Sequence, residues 1–178
     1  MTKNVSQNRS QSGRRVLSVP QADQAVAEAL NEVLGNTYAL AFKAQLYRWN
    51  VTGPIVGALH ANFSKQCRSL SKAANSIGNR IKILNPEAQV NFGNFQPLRE
   101  VTQENRVPDS WEEMVSELIQ GHQQCVEPCR DALQAAQAAN DNGSVYLLLK
   151  RVSSHEKSIL KLGNIIVQGN QSISARSA

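Results

Sequence analysis

Hydrophobic residues recur along the chain at alternating steps of three and four, the spacing that places side chains on one face of an α-helix. A first stripe begins after Ala22 and a second after Pro54, and the turn formers of residues 50–54 separate them. The first stripe comprises Val26, Leu30, Val33, Thr37, Leu40, Ala44 and Tyr47, and the second Val56, His60, Phe63, Cys67, Leu70, Ala74, Ile77, Ile81 and Leu84. The pattern predicts two long helices, which a short turn makes antiparallel.

Two further stripes follow an irregular segment. Residues 86–108 show no sustained period and contain several prolines, which predicts a long crossover with one short helix at 96–100. Ser110 and Glu113 have the spacing of a capping box at the start of a third helix, which Pro128 should bend. Asn142 and Gly143 are predicted to separate it from a fourth. The third stripe is Trp111, Val115, Leu118, His122, Cys125, Cys129, Ala132 and Ala136, and the fourth Val145, Leu148, Val152, His155, Ile159, Leu162 and Ile166.

Two antiparallel helix pairs joined by a long crossover are typical of an all-α, ferritin-like four-helix bundle. We expect this domain to span residues 20–169, followed by a flexible tail at 170–178. Residues 1–19 contain no acidic residue and are predicted to form a disordered basic arm. The arm either binds DNA phosphates without sequence preference or is a solvated tail without a partner. Its basic residues are Lys3, Arg9, Arg14 and Arg15.

Composition and charge limit the number of domains, the kind of partner and the location that we expect. The 178 residues, 41% of them hydrophobic, are enough for one domain with its own core, and the net charge of +5 favours an anionic partner. Three cysteines, an odd number, and no apolar run at the N-terminus predict reduced thiols and a cytoplasmic location. No run approaches the roughly 20 apolar residues of a membrane span, so we expect no membrane association.

One motif resembles a known family. Residues 48–54 read RWNVTGP and residues 59–63 read LHANF, which is similar to the signature of the Dps family, the DNA-protecting mini-ferritins. The similarity continues at residues 79–81, NRI, and at 155–157, HEK. The resemblance implies a cage-forming homo-oligomer, a dodecamer in this family, with roles in iron storage, stress protection and DNA binding.

The resemblance also implies an iron-oxidising site at a subunit interface, with two histidines from one subunit and carboxylates from its dimer mate. Of these positions, His60 keeps its histidine, whereas the other four are Arg48, Ser64, Asn75 and Asn79. An arginine is never deprotonated in proteins, and an amide carries no charge to offset a hard metal ion.

A wider pattern agrees with those substitutions, because no Asp or Glu occurs between Glu32 and Glu87. The sequence therefore predicts a degenerate ferroxidase centre and a non-catalytic cage, with iron possible only by family resemblance. A ferroxidase with a relocated metal site is the alternative. His60 is then expected to be structural, with a weak metal contact as the other possibility.

A second group of candidate ligands lies on the third helix. His122, Cys125 and Cys129 share one helix face, and Cys67 lies on the second stripe, which would suit a soft ion such as zinc or copper(I). The competing interpretation is that these residues pack in the core, because cysteine behaves as a small hydrophobe. His155 is expected to be an interior, hydrogen-bonded histidine.

Overall fold

The computed structural model describes residues 19–88, 96 and 106–174. This part of the chain contains five helical segments and no strand. They are α1 (Gln21–Asn50), α2 (Val56–Leu84), α3 (Trp111–Gln124), α4 (Val126–Ala138) and α5 (Asn142–Ser174). α1 packs along α2, α5 packs on both α3 and α4, and α1 also contacts α4. Since α3 and α4 are separated only by Cys125 and correspond to the predicted third helix, the prediction of a four-helix bundle is confirmed.

The break between α3 and α4 has a local cause. Pro128 has no N–H to donate to the carbonyl of Gln124, and its ring would clash with that carbonyl in a regular helix. The helix assignment is interrupted at Cys125, one residue before α4 begins, while the Cys125 N–H still donates to the Gly121 oxygen at 3.1 Å. The predicted interruption therefore occurs at Cys125, three residues before the proline.

The turn into α5 lies earlier than the sequence suggested. Asn140 adopts a left-handed conformation with φ of 56°, its N–H donates to Gln137 and the Asp141 N–H donates to Ala136, which together form a Schellman end to α4. The Asp141 carboxylate then accepts the Ser144 N–H at 3.0 Å and caps α5. The prediction that Asn142 and Gly143 separate the two helices is therefore wrong: both belong to the first turn of α5, and the left-handed residue that ends α4 is Asn140.

The core confirms two stripes fully and two in part. Every predicted member of the first and third stripes is buried. On α2, however, Val56 and His60 are exposed and Cys67 is only partly buried, whereas Leu59 and Gln66 are buried. On α5, Leu148, His155 and Leu162 are buried together with Ser144 and Arg151, while the remaining predicted members are partly exposed.

Some predictions fall wholly or partly outside the described residues. They concern the basic arm at residues 1–18 and most of the crossover, including its short helix at 96–100. α5 continues to Ser174, beyond residue 169, where the sequence placed the end of the domain. None of the described helices has the length and hydrophobicity that crossing a membrane requires.

Candidate functional site

The five positions that the family resemblance assigns to a ferroxidase centre lie on α1 and α2. His60 is exposed, and Ser64, one turn further on, donates its hydroxyl to the His60 backbone oxygen at 2.7 Å. Asn75 and Asn79 are both exposed and line a surface cavity of about 310 Å³ together with Tyr38. These amides thus face open space rather than the core.

The two halves of this set are far apart within one chain. Ser64 and Asn75 are separated by eleven residues of α2, which is about 16 Å at the rise of an α-helix. A single site containing both would need a second copy of the chain, as the resemblance implies.

Arg48 occupies the last turn of α1. Its Nε atom is buried and has no hydrogen-bond partner among the described residues. Burial raises the pKa of the nearby Cys67 thiol, and the positive charge of Arg48 opposes that rise. A permanent cation therefore stands where the family resemblance places a metal-binding imidazole.

These residues do not fit an iron ion. Hard iron ions are held by carboxylates and imidazoles, and the set offers one imidazole, one hydroxyl, two amides and a guanidinium. Across residues 19–88 and 106–174, no three His, Cys, Asp or Glu side chains come together in a group that could hold a metal. The soft-metal site predicted at His122, Cys125, Cys129 and Cys67 is thus not preassembled in a single chain, and it stays a prediction.

The polar groups of the bundle core form one hydrogen-bonded chain across three helices. Nε2 of His122 lies 2.7 Å from Oε1 of Gln66, and Nδ1 of His122 lies 2.9 Å from Nδ1 of His155. At one end Gln66 donates to Asn62 at 2.7 Å, and at the other Arg151 lies 3.4 Å from Nε2 of His155. We call these five residues the polar chain.

The direction of each bond follows from the amide of Gln66. Its Oε1 can only accept, so Nε2 of His122 donates and Nδ1 of His122 must accept from His155. Nε2 of His155 is then left to accept from Arg151. This arrangement needs both imidazoles neutral. Burial lowers the pKa of His122 to about 4 and that of His155 to about 3, with Arg151 contributing to both.

Arg151 is a buried cation, only 7% exposed, and it forms no ion pair with any described residue. The Nε atom of Arg151 also has no hydrogen-bond partner among the described residues. Burial raises the pKa of Cys125 to about 12 and that of Cys129 to about 11, although the charge of Arg151 pulls both down. Both thiols are therefore protonated at neutral pH and leave Arg151 without an anion.

A surface groove beside the polar chain is a further feature that was not predicted from the sequence. A groove of about 420 Å³ runs between α2 and α5. We call it the lysine groove; it is lined by Asn62, Lys65, Gln66, Ser69, Lys150, Ser153, Ser154, Lys157, Ser158 and Lys161.

Two core residues of the polar chain, Gln66 and Arg151, were not predicted from the sequence, because a polar residue at a core position looks like a break in the stripe. The row of lysines on α5 could have been predicted, because a spacing of seven and four residues places them on one helix face.

Comparisons with known proteins match most of the chain. The sequence model of the ferritin-like domain matches residues 27–172. A low temperature-induced protein of Nostoc sp. is 26% identical over 135 residues, which are 75% of each chain. Dps from Vibrio cholerae O1 superposes with a TM-score of 0.73 at 22% identity, over 82% of this chain and 91% of its own. Dps from Bacillus brevis gives 0.72 at 23% identity, over 83% and 98%. The Dps-type fold that the motif implied is confirmed.

Proposed function

Because the chain belongs to the ferritin-like family, we propose that it is a Dps-like cage subunit that lacks the usual ferroxidase centre. In this proposal it assembles into a homododecamer in the cytoplasm and acts without oxidising ferrous iron, either by binding and protecting DNA or as a container. One observation carries the proposal: the side chains at the family's metal-binding positions include a fixed cation and two uncharged amides, and no carboxylate.

Electrostatics at these positions supports a loss of iron binding. α2 exposes Lys65, Arg68 and Lys72 and has no acidic residue to offset them. A surface with only positive charge lowers the local concentration of ferrous ions. Arg48 adds a cation whose Nε is already removed from solvent. A metal ion there would meet repulsion and gain few ligands.

Assembly is supported by the apolar surface of the single chain. Large hydrophobic side chains that are two-fifths or more exposed occur on α1, α2 and α5, and Trp49 is 69% exposed. In the proposed cage, contacts between subunits would remove such side chains from water. These residues are Phe42, Trp49, Val56, Ile83, Tyr146, Leu149, Leu160 and Val167.

The first experiment tests catalysis. Ferrous iron is added aerobically to the assembled protein, and ferric product is followed by optical absorbance. We expect the same rate as in a protein-free control. A rate that rises with protein concentration would contradict the absence of a ferroxidase centre and favour a relocated metal site.

The second experiment tests assembly and DNA binding. Light scattering should give the mass of a dodecamer, and a monomer or dimer at micromolar concentration would contradict the cage. In a gel shift, binding to duplex DNA should fall steeply with salt and disappear when residues 1–19 are deleted, because the arm carries Lys3, Arg9, Arg14 and Arg15. No binding at low salt would leave only the container role.

A further inference from the structure

The lysine groove places four ammonium groups along two facing helices. On α5, Lys150, Lys157 and Lys161 follow one another at steps of seven and four and so share one face. They span eleven residues, about 16 Å along the helix axis. α2 contributes the fourth, Lys65, and all four are exposed.

None of these charges is neutralised by the described residues. The groove lining contains no Asp or Glu, and none of the four lysines forms an ion pair within residues 19–88 or 106–174. Four like charges around one cavity repel one another, so the groove favours an anion that pairs with several at once.

Hydroxyl groups complete the set of donors. Ser69, Ser153 and Ser154 form no side-chain hydrogen bond with any described residue, whereas Ser158 donates to the Ser154 backbone oxygen at 3.0 Å. Ammonium and hydroxyl donors together suit the oxygens of a phosphate, and lysine binds phosphates as a point charge.

Hydrogen bonds of the polar chain hold Gln66, one of the residues that line the groove, in position. Gln66 is 8% exposed, and both ends of its amide are engaged, by Asn62 on one side and His122 on the other. Because the polar chain fixes this amide, the groove keeps its shape without a ligand. A preformed site loses less entropy when a ligand binds.

We propose that the lysine groove binds a small multivalent phosphate, a short chain of inorganic phosphate groups that bridges α2 and α5. The 16 Å row of lysines favours a chain over a single phosphate ion, and a cavity of about 420 Å³ does not admit a DNA duplex. This site goes beyond the proposed function, because it needs neither the basic arm nor the degenerate iron positions.

Titration calorimetry with inorganic tripolyphosphate on the assembled, full-length protein tests the site. Lys65→Gln and Lys157→Gln should each weaken binding about tenfold, the usual loss for one hydrogen bond to a charged group. Lys72→Gln is the matched control, since it makes the same charge change at an exposed position of α2 outside the groove, and it should leave the affinity within about twofold. Affinity should also fall with salt.

Several results would overturn the proposal: no tripolyphosphate binding by the wild type, equal losses in Lys65→Gln and Lys72→Gln, or groove variants that change binding of duplex DNA alone. Orthophosphate that binds as tightly as tripolyphosphate would overturn the bridging chain. Deletion of residues 1–19 should leave tripolyphosphate affinity unchanged, so failure of the DNA proposal is distinguishable. All substituted lysines are exposed, and an unchanged helical circular dichroism spectrum verifies folding.

Discussion

The contact between His122 and His155 joins two ring nitrogens, both Nδ1, at 2.9 Å. Such a contact is a hydrogen bond only while one of the two nitrogens is unprotonated. A proton on His122 would place two N–H groups face to face inside the bundle, beside the buried cation of Arg151. The polar chain is thus stable in one charge state, and protonation of His122 would break it.

We therefore expect the free energy of unfolding to fall as the pH drops below about 6.5, the ordinary value for histidine. The unfolded chain binds protons there, whereas His122 and His155 stay neutral down to pKa values of about 4 and about 3. Each contributes a slope of up to about 1.4 kcal/mol per pH unit across that window, and none above it. Urea unfolding at pH 7.5, 6.5, 5.5 and 5.0 measures the slope.

His155→Gln should reduce that slope, and His60→Gln is the matched control because His60 is exposed and outside the polar chain. The loss of a buried hydrogen-bond partner will also lower stability at pH 7.5, so the comparison uses the slope rather than the absolute value. A wild-type slope between pH 6.5 and 5.0 that His155→Gln leaves unchanged would contradict the neutral pair.

The three cysteines differ in solvent accessibility, and their rates of labelling test the predicted burial of Cys125 and Cys129. Cys125 is 4% exposed and Cys129 is fully buried, and their thiols are protonated at neutral pH, whereas Cys67 is partly exposed. Only an accessible thiolate reacts quickly. A thiol reagent at pH 8 should therefore label Cys67 first in the native protein and all three cysteines in denaturant. Mass spectrometry of the labelled peptides decides, and rapid native labelling of Cys129 would contradict its burial.

At the scale of elements, the turn between α4 and α5 concentrates several interactions on Asp141. Its carboxylate caps α5 through the Ser144 N–H and pairs with Arg80 from α2. Burial alone would raise the pKa of Asp141, but the Ser144 hydrogen bonds and Arg80 together lower it. One side chain thus joins the end of α4, the start of α5 and the C-terminal part of α2.

Asp141→Ala should lower the free energy of unfolding by about 1–2 kcal/mol from the lost cap, with a further loss from an unpaired Arg80. Glu127→Ala is the matched control, because it removes a carboxylate from an exposed pair with Arg130 on α4 and should cost less than about 0.5 kcal/mol. Urea unfolding of both variants measures the difference, and equal effects would show that Asp141 does not anchor the turn.

Helix periodicity predicts an element well where one face is uniformly apolar. The α1 stripe was correct throughout because its only polar member, Thr37, hydrogen-bonds back to the Val33 oxygen at 2.7 Å. On α2 the prediction placed His60 in the core, whereas the neighbouring Leu59 is buried there and His60 is exposed. Both residues fit the spacing, and only the contacts with α1 and α3 decide between them. Arg151 was not predicted as a core residue, because a charged side chain at a core position looks like a break in the stripe.

At the scale of the whole molecule, charged residues show what the sequence can predict. It indicates charges at single positions of a motif, but not charges that the fold brings together from different helices. The proposed substitutions at single positions such as Arg48 and Asn79 could be inferred from the sequence because the motif sets their register. The lysine groove is not, because Lys65 and Lys157 are brought together only by the packing of α2 against α5. Local motifs report on sites within one element, whereas sites between elements require the fold.

The proposal of a degenerate ferroxidase centre leads to a final prediction. If the side chains alone abolish iron oxidation, restoring the family's ligands should return it. The variant combines Arg48→His, Ser64→Glu, Asn75→Asp and Asn79→Glu, which replaces a cation and three uncharged groups with an imidazole and three carboxylates. All four positions are at least partly exposed, so the substitutions should preserve the fold. Ferrous oxidation, measured by absorbance, should then exceed that of the wild type.

A matched control keeps Arg48→His and Ser64→Glu but places the other two carboxylates at Ser71 and Ser76, which are exposed on the same helix. Net charge is identical in both variants, so a general attraction of cations would raise both rates. We expect only the restored variant to respond, because metal binding depends on ligand placement as well as charge. If it assembles normally and still matches the protein-free rate, the correspondence between these residues and the family's ligands is wrong.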